Sequence, residues 1–301
     1  MAQYEGFQAV EALQVASEAA GWECEYRQIE AGHLEAKSTF QPVGGSSLIC
    51  ETSNRRIEVA ARTPDAAATV MVPLPGTVVL INGQQLSDDR MMILAPNIDF
   101  HAVSNSGAEV WSIHLSNDLL DETLDIGRLG TQVIEARPDS LAEFRAAIKF
   151  TLEEDRERVL NHYETHFANL WQKLISSNAP ANMPERYNRL HKRKALARAL
   201  EFIEAHLARP LRMDQVCTYA NVSQSTLERL FRSEFQQTPS SYVRARRLDA
   251  VRRDLTAGLD ASETIAEVAM AHGFAHMGRF SSLYRRQFGH LPSEDTRRFQ
   301  N

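Results

Sequence analysis

A duplicated unit in the C-terminal third of the chain constrains its fold more than any other feature. The first copy, VCTYANVSQSTLERLFRSEFQQTP, occupies residues 216–239, and the second, IAEVAMAHGFAHMGRFSSLYRRQFGHLP, occupies residues 265–292. A shift of 52 aligns the copies up to an internal turn, and a shift of 53 aligns them after it. An internal repeat of this kind predicts two folded modules of the same type.

Each copy has the pattern of two helices joined by a tight turn. Thr264 and Glu267 form a T-x-x-E capping box, which predicts the start of a helix. The helix is expected to end at His272-Gly273, because glycine adopts the left-handed conformation that a tight turn requires. Asn221 occupies the equivalent position of the first copy and tolerates the same conformation. Both copies are therefore predicted to be helix-turn-helix units.

The second helix of each copy is predicted to bury one apolar stripe. Apolar residues recur at helical spacing, which favours an amphipathic helix. Ser223 is a suitable N-cap for this helix in the first copy, and the second is expected to begin near His276. The predicted inward residues are Leu227, Leu230, Phe231 and Phe235 in the first copy, and Phe280, Leu283, Tyr284 and Phe288 in the second.

The opposite face of each second helix carries arginines among small polar residues. Arginine can form two parallel hydrogen bonds with guanine in the major groove, and short side chains permit close approach. A solvated helix face is the alternative, but the arginines lie on the second helix of both copies, in registers taken to match, which favours DNA contact. The predicted DNA-binding residues are Ser223, Gln224, Ser225, Glu228, Arg229, Arg232, His276, Arg279, Ser282, Arg285 and Arg286.

These residues are assigned different roles. We expect Arg229 and Arg279 to contact bases, and Arg232, Arg285 and Arg286 to contact phosphates. Glu228 has two interpretations, since it either accepts a hydrogen bond from a cytosine amino group or only repels phosphate.

The segment between the copies predicts one rigid connecting helix. Its apolar residues Ala245, Leu248, Val251 and Leu255 share one face, and Gly258 is a suitable C-cap. About sixteen helical residues at 1.5 Å each span roughly 24 Å. With the flanking units, this length could hold the two second helices about one DNA turn (~34 Å) apart.

Three motifs of the repeat resemble the DNA-binding domain of the AraC/XylS family of bacterial transcription regulators. They are AMAHGF, FSSLYRRQFGHLP and SQSTLERLF. Within that family the ethanolamine-operon regulators resemble this chain, mainly through its C-terminal half. The resemblance implies sequence-specific binding of double-stranded DNA, activation of transcription and contact with RNA polymerase. The chain departs from the family pattern at Asn221, where glycine is more usual, and at Gly278, which lowers helix propensity.

Charge divides the chain into an acidic and a basic part. Residues 186–298 hold 20 Lys or Arg against 12 Asp or Glu, whereas the remainder holds 13 against 27. A local excess of positive charge favours phosphate binding even though the formal net charge is −6. We predict an N-terminal sensor and dimerisation domain over residues 1–178, a linker over 179–188 and the DNA-binding domain over 189–301.

The N-terminal part has the pattern of a small antiparallel barrel or jelly roll. Short alternating runs such as SSLICET, RMMILAP and EVWSIHLS are separated by turns rich in glycine and proline. The family resemblance implies that this domain is cupin-like and binds a small-molecule effector, whose binding residues the sequence does not identify. The predicted class is therefore α+β, with an N-terminal barrel followed by an all-α domain.

Helical periodicity returns after Leu119. One amphipathic helix is predicted around Leu141, Phe144 and Ile148, and another around residues 160–175. The second has a wide apolar face, which either covers the barrel or forms the interface of a homodimer.

Histidines in the barrel raise an alternative from another class of protein, a cupin-type metalloenzyme fused to a DNA-binding domain. His33, His101 and His114 lack an H-x-H pair followed by glutamate, so structural roles are favoured. Trp111 and Phe100 are likewise predicted to be core residues rather than the lining of a ligand cavity. No catalytic residue, metal or cofactor is predicted.

The three cysteines, Cys24, Cys50 and Cys217, have neither metal-binding spacing nor the density of a disulfide scaffold. The N-terminus lacks the pattern of a secretory signal, and the longest apolar run is too short to span a membrane. These features favour a cytoplasmic protein.

Overall fold

The computed structural model describes residues 2–3, 9–43, 46–65, 67–116, 131–153, 186–259 and 263–298. The chain divides into two compact units. The first comprises residues 1–26 and 35–184, and the second comprises residues 27–34 and 185–301. None of the described helices is both long enough and apolar enough to cross a membrane.

The first unit is mostly antiparallel strands. Its elements are β1 (Ala2–Gln3), α1 (Ala9–Ala19), β2 (Glu23–Gln28), β3 (Ala36–Val43), β4 (Ser46–Ser53), β5 (Ile57–Arg62), β6 (Ala67–Pro73), β7 (Val79–Ile81), β8 (Gln84–Leu86), β9 (Arg90–Leu94), β10 (Asp99–Ser104), β11 (Ala108–Ser116), β12 (Gln132–Glu135) and α2 (Pro138–Glu153).

Two sheets form from these strands. One has the order β1-β3-β4-β11-β6-β9-β12, and the other has the order β2-β5-β10-β7-β8. In the first sheet Ser112 lies opposite both Ile49 and Met71, so these three side chains share one face.

Apolar residues on that face form the core between the two sheets. Ile49 and Met71 of the first sheet pack in one buried cluster with Ile81 and Phe100 of the second. The opposite face of the first sheet, which includes Trp111, packs in another cluster against α2 through Leu141, Phe144 and Ile148. Two antiparallel sheets packed face to face confirm the predicted jelly-roll class, and Phe100 and Trp111 are core residues as expected.

Four strands that are not predicted from the sequence complete the sheets. β1, β8 and β12 are two, three and four residues long, and their patterns are too short for periodicity to identify them. β10 buries three consecutive residues, so it lacks clear alternation, and its pairing with β5 and β7 defines it. The predicted helix over residues 160–175 and residues 179–185 of the predicted linker lie outside the described residues.

The second unit is helical. Its helices are α3 (Arg186–Ala205), α4 (Met213–Ala220), α5 (Gln224–Phe235), α6 (Pro239–Ala257), α7 (Ile265–Ala271), α8 (Met277–Phe288) and α9 (Pro292–Arg298). Residues 27–34 belong to this unit through a reciprocal pair: the Gln28 side chain donates to the Gln287 carbonyl at 3.0 Å, and the Gln287 side chain donates to the Gln28 carbonyl at 3.1 Å.

The helix ends follow the predicted capping signals. The Thr264 hydroxyl accepts from the Glu267 amide at 3.2 Å, and the Glu267 carboxylate accepts from the Thr264 amide at 2.8 Å. Asn221 and Gly273 have left-handed φ values of 55° and 85°. Both predicted tight turns are therefore confirmed.

The connecting helix α6 has 19 residues, three more than expected. The Thr238 hydroxyl caps it by accepting from the Ser241 amide at 3.2 Å, and Pro239 follows at the first helical position. Its predicted inward residues Ala245, Leu248, Val251 and Leu255 are all buried. In α3, by contrast, Leu196 and Leu200 are only half-buried, because the helix turns Ala195, Ala199 and Ile203 into the core.

Candidate nucleic-acid interface

Helices α5 and α8 are the second helices of the two helix-turn-helix units. Ser223 is the N-cap of α5, and its hydroxyl accepts from the Thr226 amide at 3.2 Å. His276 is the N-cap of α8, and its side chain makes no capping hydrogen bond. The predicted apolar stripes are buried in both helices, except that Leu283 is half-buried. Packing therefore fixes which face of each helix points outward.

The outward faces carry the predicted DNA-binding residues. Glu228 is half-buried, and the other ten are exposed, namely Ser223, Gln224, Ser225, Arg229, Arg232, His276, Arg279, Ser282, Arg285 and Arg286.

The guanidinium groups of these faces have no partner among the described residues. The side chains of Arg229, Arg232, Arg279, Arg285 and Arg286 make no hydrogen bond or ion pair with any residue that the structure describes. Their guanidinium groups are therefore available to external anions. Arg232, Arg285 and Arg286 also lie in the last turns of their helices, where a cation interacts favourably with the helix dipole.

Other arginines of the same unit are turned inward. Arg246 is 1% exposed and donates two hydrogen bonds of 2.7 Å to the carboxylate of Glu204. Arg252 lies 4.7 Å from the ring centre of Phe288. The protein therefore separates arginines that stabilise its core from arginines that face outward.

The two faces are not in the same register. Arg229 is the sixth residue of α5, whereas Arg279 is the third residue of α8. The matching registers assumed for these two arginines are therefore wrong. Arg232 and Arg285, each the ninth residue of its helix, do match. The predicted phosphate contacts are thus equivalent between the units, but the predicted base contacts are displaced by almost one helical turn.

Several polar residues of the faces already have side-chain partners, and Ser223 and Ser225 hydrogen-bond to each other at 3.1 Å. The Gln224 amide donates to the Glu228 carboxylate at 3.3 Å, so this carboxylate has a neighbour that offsets part of its charge. The Ser282 hydroxyl donates to the Gly278 carbonyl at 3.0 Å within α8, so its oxygen remains free only as an acceptor.

A buried polar cluster around Asp295 positions α8, and the sequence analysis does not identify it. Asp295 is 0% exposed, and its Oδ2 accepts from Tyr284 at 2.5 Å and lies 2.8 Å from His290 Nε2 and 3.5 Å from Arg252 Nε. Burial and the adjacent carboxylate raise the pKa of Tyr284 well above its usual value. One signal could have revealed the cluster: the shift of 53 aligns Asp295 with the aromatic residue Tyr242.

The histidines that suggested a metal have other partners. The Trp22 indole donates to His114 Nε2 at 2.9 Å, and His114 Nδ1 lies 2.9 Å from the Thr69 hydroxyl. Burial lowers the pKa of His114 to about 3, so this imidazole is neutral. His101 Nε2 lies 2.7 Å from a carboxylate oxygen of Glu58. Among the described residues, no group of three or more His, Cys, Asp or Glu side chains could hold a metal ion.

A comparison with protein families matches the region that contains these helices. A family profile described as "Helix-turn-helix domain" matches residues 216–298. The XylDLEGF operon transcriptional activator of Pseudomonas putida is 31% identical over 140 residues, which cover 46% of this chain and 42% of the relative. The XylDLEGF operon transcriptional activator 2 of the same organism is 32% identical over 136 residues, which cover 45% of this chain and 83% of the relative.

Solved structures of regulators are also similar. The AraC-type transcriptional regulator from Chromobacterium violaceum is 33% identical, with 35% of this chain and 91% of that chain covered and a TM-score of 0.33. The AraC-like transcriptional activator CuxR is 13% identical, with 82% of this chain and 92% of that chain covered and a TM-score of 0.45.

The match to the first of the P. putida activators spans less than half of that protein's length, whereas the match to activator 2 spans most of it. The helix-turn-helix profile lies in the segment whose two capped units the structure describes. The chain belongs to the AraC/XylS family of transcription regulators.

Proposed function

We propose that this protein is a sequence-specific regulator of transcription that binds two successive major-groove segments of double-stranded DNA. The observation that carries the proposal is the set of five exposed arginines on α5 and α8 whose side chains have no partner in the described ranges. Unpaired guanidinium groups beside short polar side chains suit both guanine edges and phosphates.

Each arginine has a proposed role that follows from its position. Arg229 and Arg279 lie in the N-terminal halves of their helices, and we assign them to bases, because recognition helices contact base edges with their N-terminal residues. Arg232, Arg285 and Arg286 lie nearer the C-terminal ends, and we assign them to phosphates. Ser223, Gln224, Ser225, His276 and Ser282 complete the proposed contact surface, and Glu228 lies at its edge.

The length of α6 supports simultaneous binding by both units. Its 19 residues span roughly 28 Å at 1.5 Å per residue. Successive major-groove segments on one face of the duplex lie about 34 Å apart. A helix of this length, with a recognition helix packed at each end, suits two adjacent segments of one operator.

Two of the relatives are named operon transcriptional activators. By analogy, we propose that this protein activates transcription from the promoters it binds, together with RNA polymerase in the cytoplasm. No catalytic step and no cofactor enter this function.

The N-terminal jelly roll is the proposed sensor domain. A small-molecule effector would regulate the protein only through a difference in its affinity for DNA-competent and DNA-incompetent states. If none of a panel of metabolites changed either DNA affinity or transcription, this part of the proposal would be abandoned. A homodimer is proposed through the apolar sequence at residues 160–175, and a strict monomer in sedimentation at high concentration would exclude it.

The function is tested by selecting bound fragments from genomic DNA and measuring affinity for the selected site and for random DNA. Arg279→Ala should cost about 1–3 kcal/mol on the selected site and relax selectivity at one base pair. Arg232→Ala should weaken binding to both DNAs alike and reduce the salt dependence.

Arg253→Ala is the matched control, because Arg253 is an exposed arginine of α6 outside both recognition helices. It should bind both DNAs like the wild type. If the wild type showed no preference for any genomic fragment, the proposed function would fail. If both Arg279→Ala and Arg232→Ala lost affinity equally on selected and random DNA, only the assignment of base and phosphate contacts would be wrong.

A further inference from the structure

A groove within the second unit lies beside the second recognition helix. It has a volume of about 400 Å³ and is bounded by the start of α4, the N-terminal half of α6 and the turn that leads into α8. Val243, Phe274 and Phe280 contribute to its apolar floor. We call it the central groove, and its lining includes Val243, Arg244, Arg247, Gly273, His276 and Arg279.

The central groove has positive groups and no acidic ones. Arg244, Arg247 and Arg279 line it, and none of the described residues that line it is an aspartate or a glutamate. The Arg244 side chain makes no hydrogen bond or ion pair with the described part of the protein. An anion from outside the chain would therefore be the first carboxylate or phosphate to lie within this groove.

Arg247 is fixed in place without a counterion. Its Nε donates to the Leu207 carbonyl at 2.8 Å, and one terminal nitrogen donates to the Arg209 carbonyl at 2.5 Å. A Cβ at Gly273 would lie 3.2 Å from the guanidinium carbon, so the absence of a side chain there lets the group rest against the turn. Burial lowers the pKa of Arg247, because no carboxylate compensates for the lost water.

The central groove shares residues with the proposed DNA-binding surface. Arg279 and His276 belong to the outward face of α8 and also line the groove. The other wall, from Ser240 to Arg247, belongs to the first half of α6, which begins four residues after α5 ends. The groove therefore lies between the end of one recognition helix and the start of the other.

We propose that the central groove binds the sugar-phosphate backbone of the DNA between the two major-groove segments, with Arg244 and Arg247 contacting phosphates. This inference rests on the proposed function and adds a third contact region to it. A backbone that runs from one segment to the next presents a continuous row of phosphates. Such contacts fix the register of the protein on the duplex without specifying sequence.

The test is the salt dependence of DNA binding by the full chain carrying Arg244→Ala. One phosphate contact contributes about 0.9 to the magnitude of the slope of log K against log salt concentration. Between 50 and 200 mM salt, that contact accounts for about a 3.5-fold decrease in affinity. Arg244→Ala should lower the slope by that amount on selected and random DNA alike, and base preference should not change. Arg244→Lys should retain the slope, because it retains the charge.

Arg253→Ala is again the control, because residues nine positions apart point in opposite directions on a helix, and its slope should equal that of the wild type. A second measurement uses selected-site DNA with neutral methylphosphonates between the two segments. These should weaken binding by the wild type severalfold more than binding by Arg244→Ala.

The outcomes separate the two proposals. If the wild type prefers no genomic fragment, the proposed function fails and the inference fails with it. If the wild type binds a selected site, but Arg244→Ala has the same slope as Arg253→Ala and the same response to methylphosphonates as the wild type, only the inference is overturned. The circular dichroism spectrum of Arg244→Ala should match that of the wild type. If it does not, the salt slope of Arg244→Lys decides the inference instead, because this variant keeps the charge.

Discussion

The two helix-turn-helix units have the same backbone plan, but different side chains close their cores. In the first unit Tyr242 packs against Phe231 and Phe235, with ring centres 5.3 and 4.4 Å away. The equivalent positions of the second unit hold Asp295, Tyr284 and Phe288. There the Tyr284 hydroxyl donates to the Asp295 carboxylate, and the aromatic contact of the first unit becomes a buried hydrogen bond.

The difference shows that a repeated fold does not require repeated chemistry. Apolar packing tolerates small changes of geometry, whereas a buried carboxylate needs its partners in defined positions. The second unit supplies these partners from three elements, namely Tyr284 on α8, His290 after it and Arg252 on α6. We infer that the second recognition helix is held by directional bonds and the first by ring contacts.

The variant with the largest expected effect is Asp295→Ala. Loss of the carboxylate removes a buried partner of Tyr284, His290 and Arg252, and it should destabilise the second helix-turn-helix unit by about 3–5 kcal/mol. The matched change Tyr242→Phe keeps the rings of the first unit and should cost about 1 kcal/mol or less. Hydrogen exchange of the α8 and α5 amides measures the two effects separately. Equal losses in the two variants would contradict the comparison.

The same carboxylate has a predicted pH dependence. Burial opposes its ionisation, but hydrogen bonds from His290 and Tyr284 and the nearby charge of Arg252 together outweigh burial, so the pKa of Asp295 lies below its usual 3.8. A group whose folded-state pKa is lowered stabilises the protein above its unfolded-state pKa. The protection of α8 should therefore be constant near neutral pH and fall in the wild type as the pH drops below 3.8. In Asp295→Ala this acid-dependent loss should be absent.

The displaced arginine registers give the second test. Arg229→Ala and Arg279→Ala should each cost about 1–3 kcal/mol on the selected site, and each should relax selectivity in only one half of it. Because the two arginines differ by three helix positions, the affected base pairs should lie at different offsets within their half-sites. Binding to a full set of single-base variants measures this. Identical offsets would show that the register difference has no consequence for base contact.

Substitution of the N-cap residues should change stability by a smaller amount. Thr264 has a reciprocal capping box with Glu267, whereas the Ser223 hydroxyl accepts one backbone hydrogen bond at the start of α5. Thr264→Ala should destabilise its unit by about 1–2 kcal/mol, and Ser223→Ala should cost about 1 kcal/mol. Hydrogen exchange measures the two losses of stability. It is done on DNA-free protein, because Ser223 also lies on the proposed DNA-binding surface. A larger loss in Ser223→Ala would reverse the ranking.

The turns should give the smallest effect. Asn221 has a left-handed φ of 55° where the second unit has Gly273. Asn221→Gly relieves that conformation but adds entropy to the unfolded chain, and the two effects nearly cancel. We expect a change within about 0.5 kcal/mol in the unfolding free energy, measured by chemical denaturation. A loss above about 1 kcal/mol would show that the Asn221 side chain has a further role.

Much of the second unit could be predicted from the sequence because its signals are local. The capping box at Thr264, the glycine at position 273 and the buried stripe of Phe280, Tyr284 and Phe288 act within a few residues of each other. The jelly-roll class of the first unit was also predictable. Its short strands β1, β8, β10 and β12 were not, because pairing with distant strands defines them.

The amino-acid sequence by itself determined which helix faces point outward, since burial of an apolar stripe leaves the arginines of α5 and α8 exposed. Only the tertiary structure decided which arginines remain unpaired, because pairing depends on carboxylates distant along the chain, as for Arg246 with Glu204. The central groove and the cluster around Asp295 have the same origin. Each brings together residues from several helices, and a local sequence pattern does not show which residues of different helices lie close together.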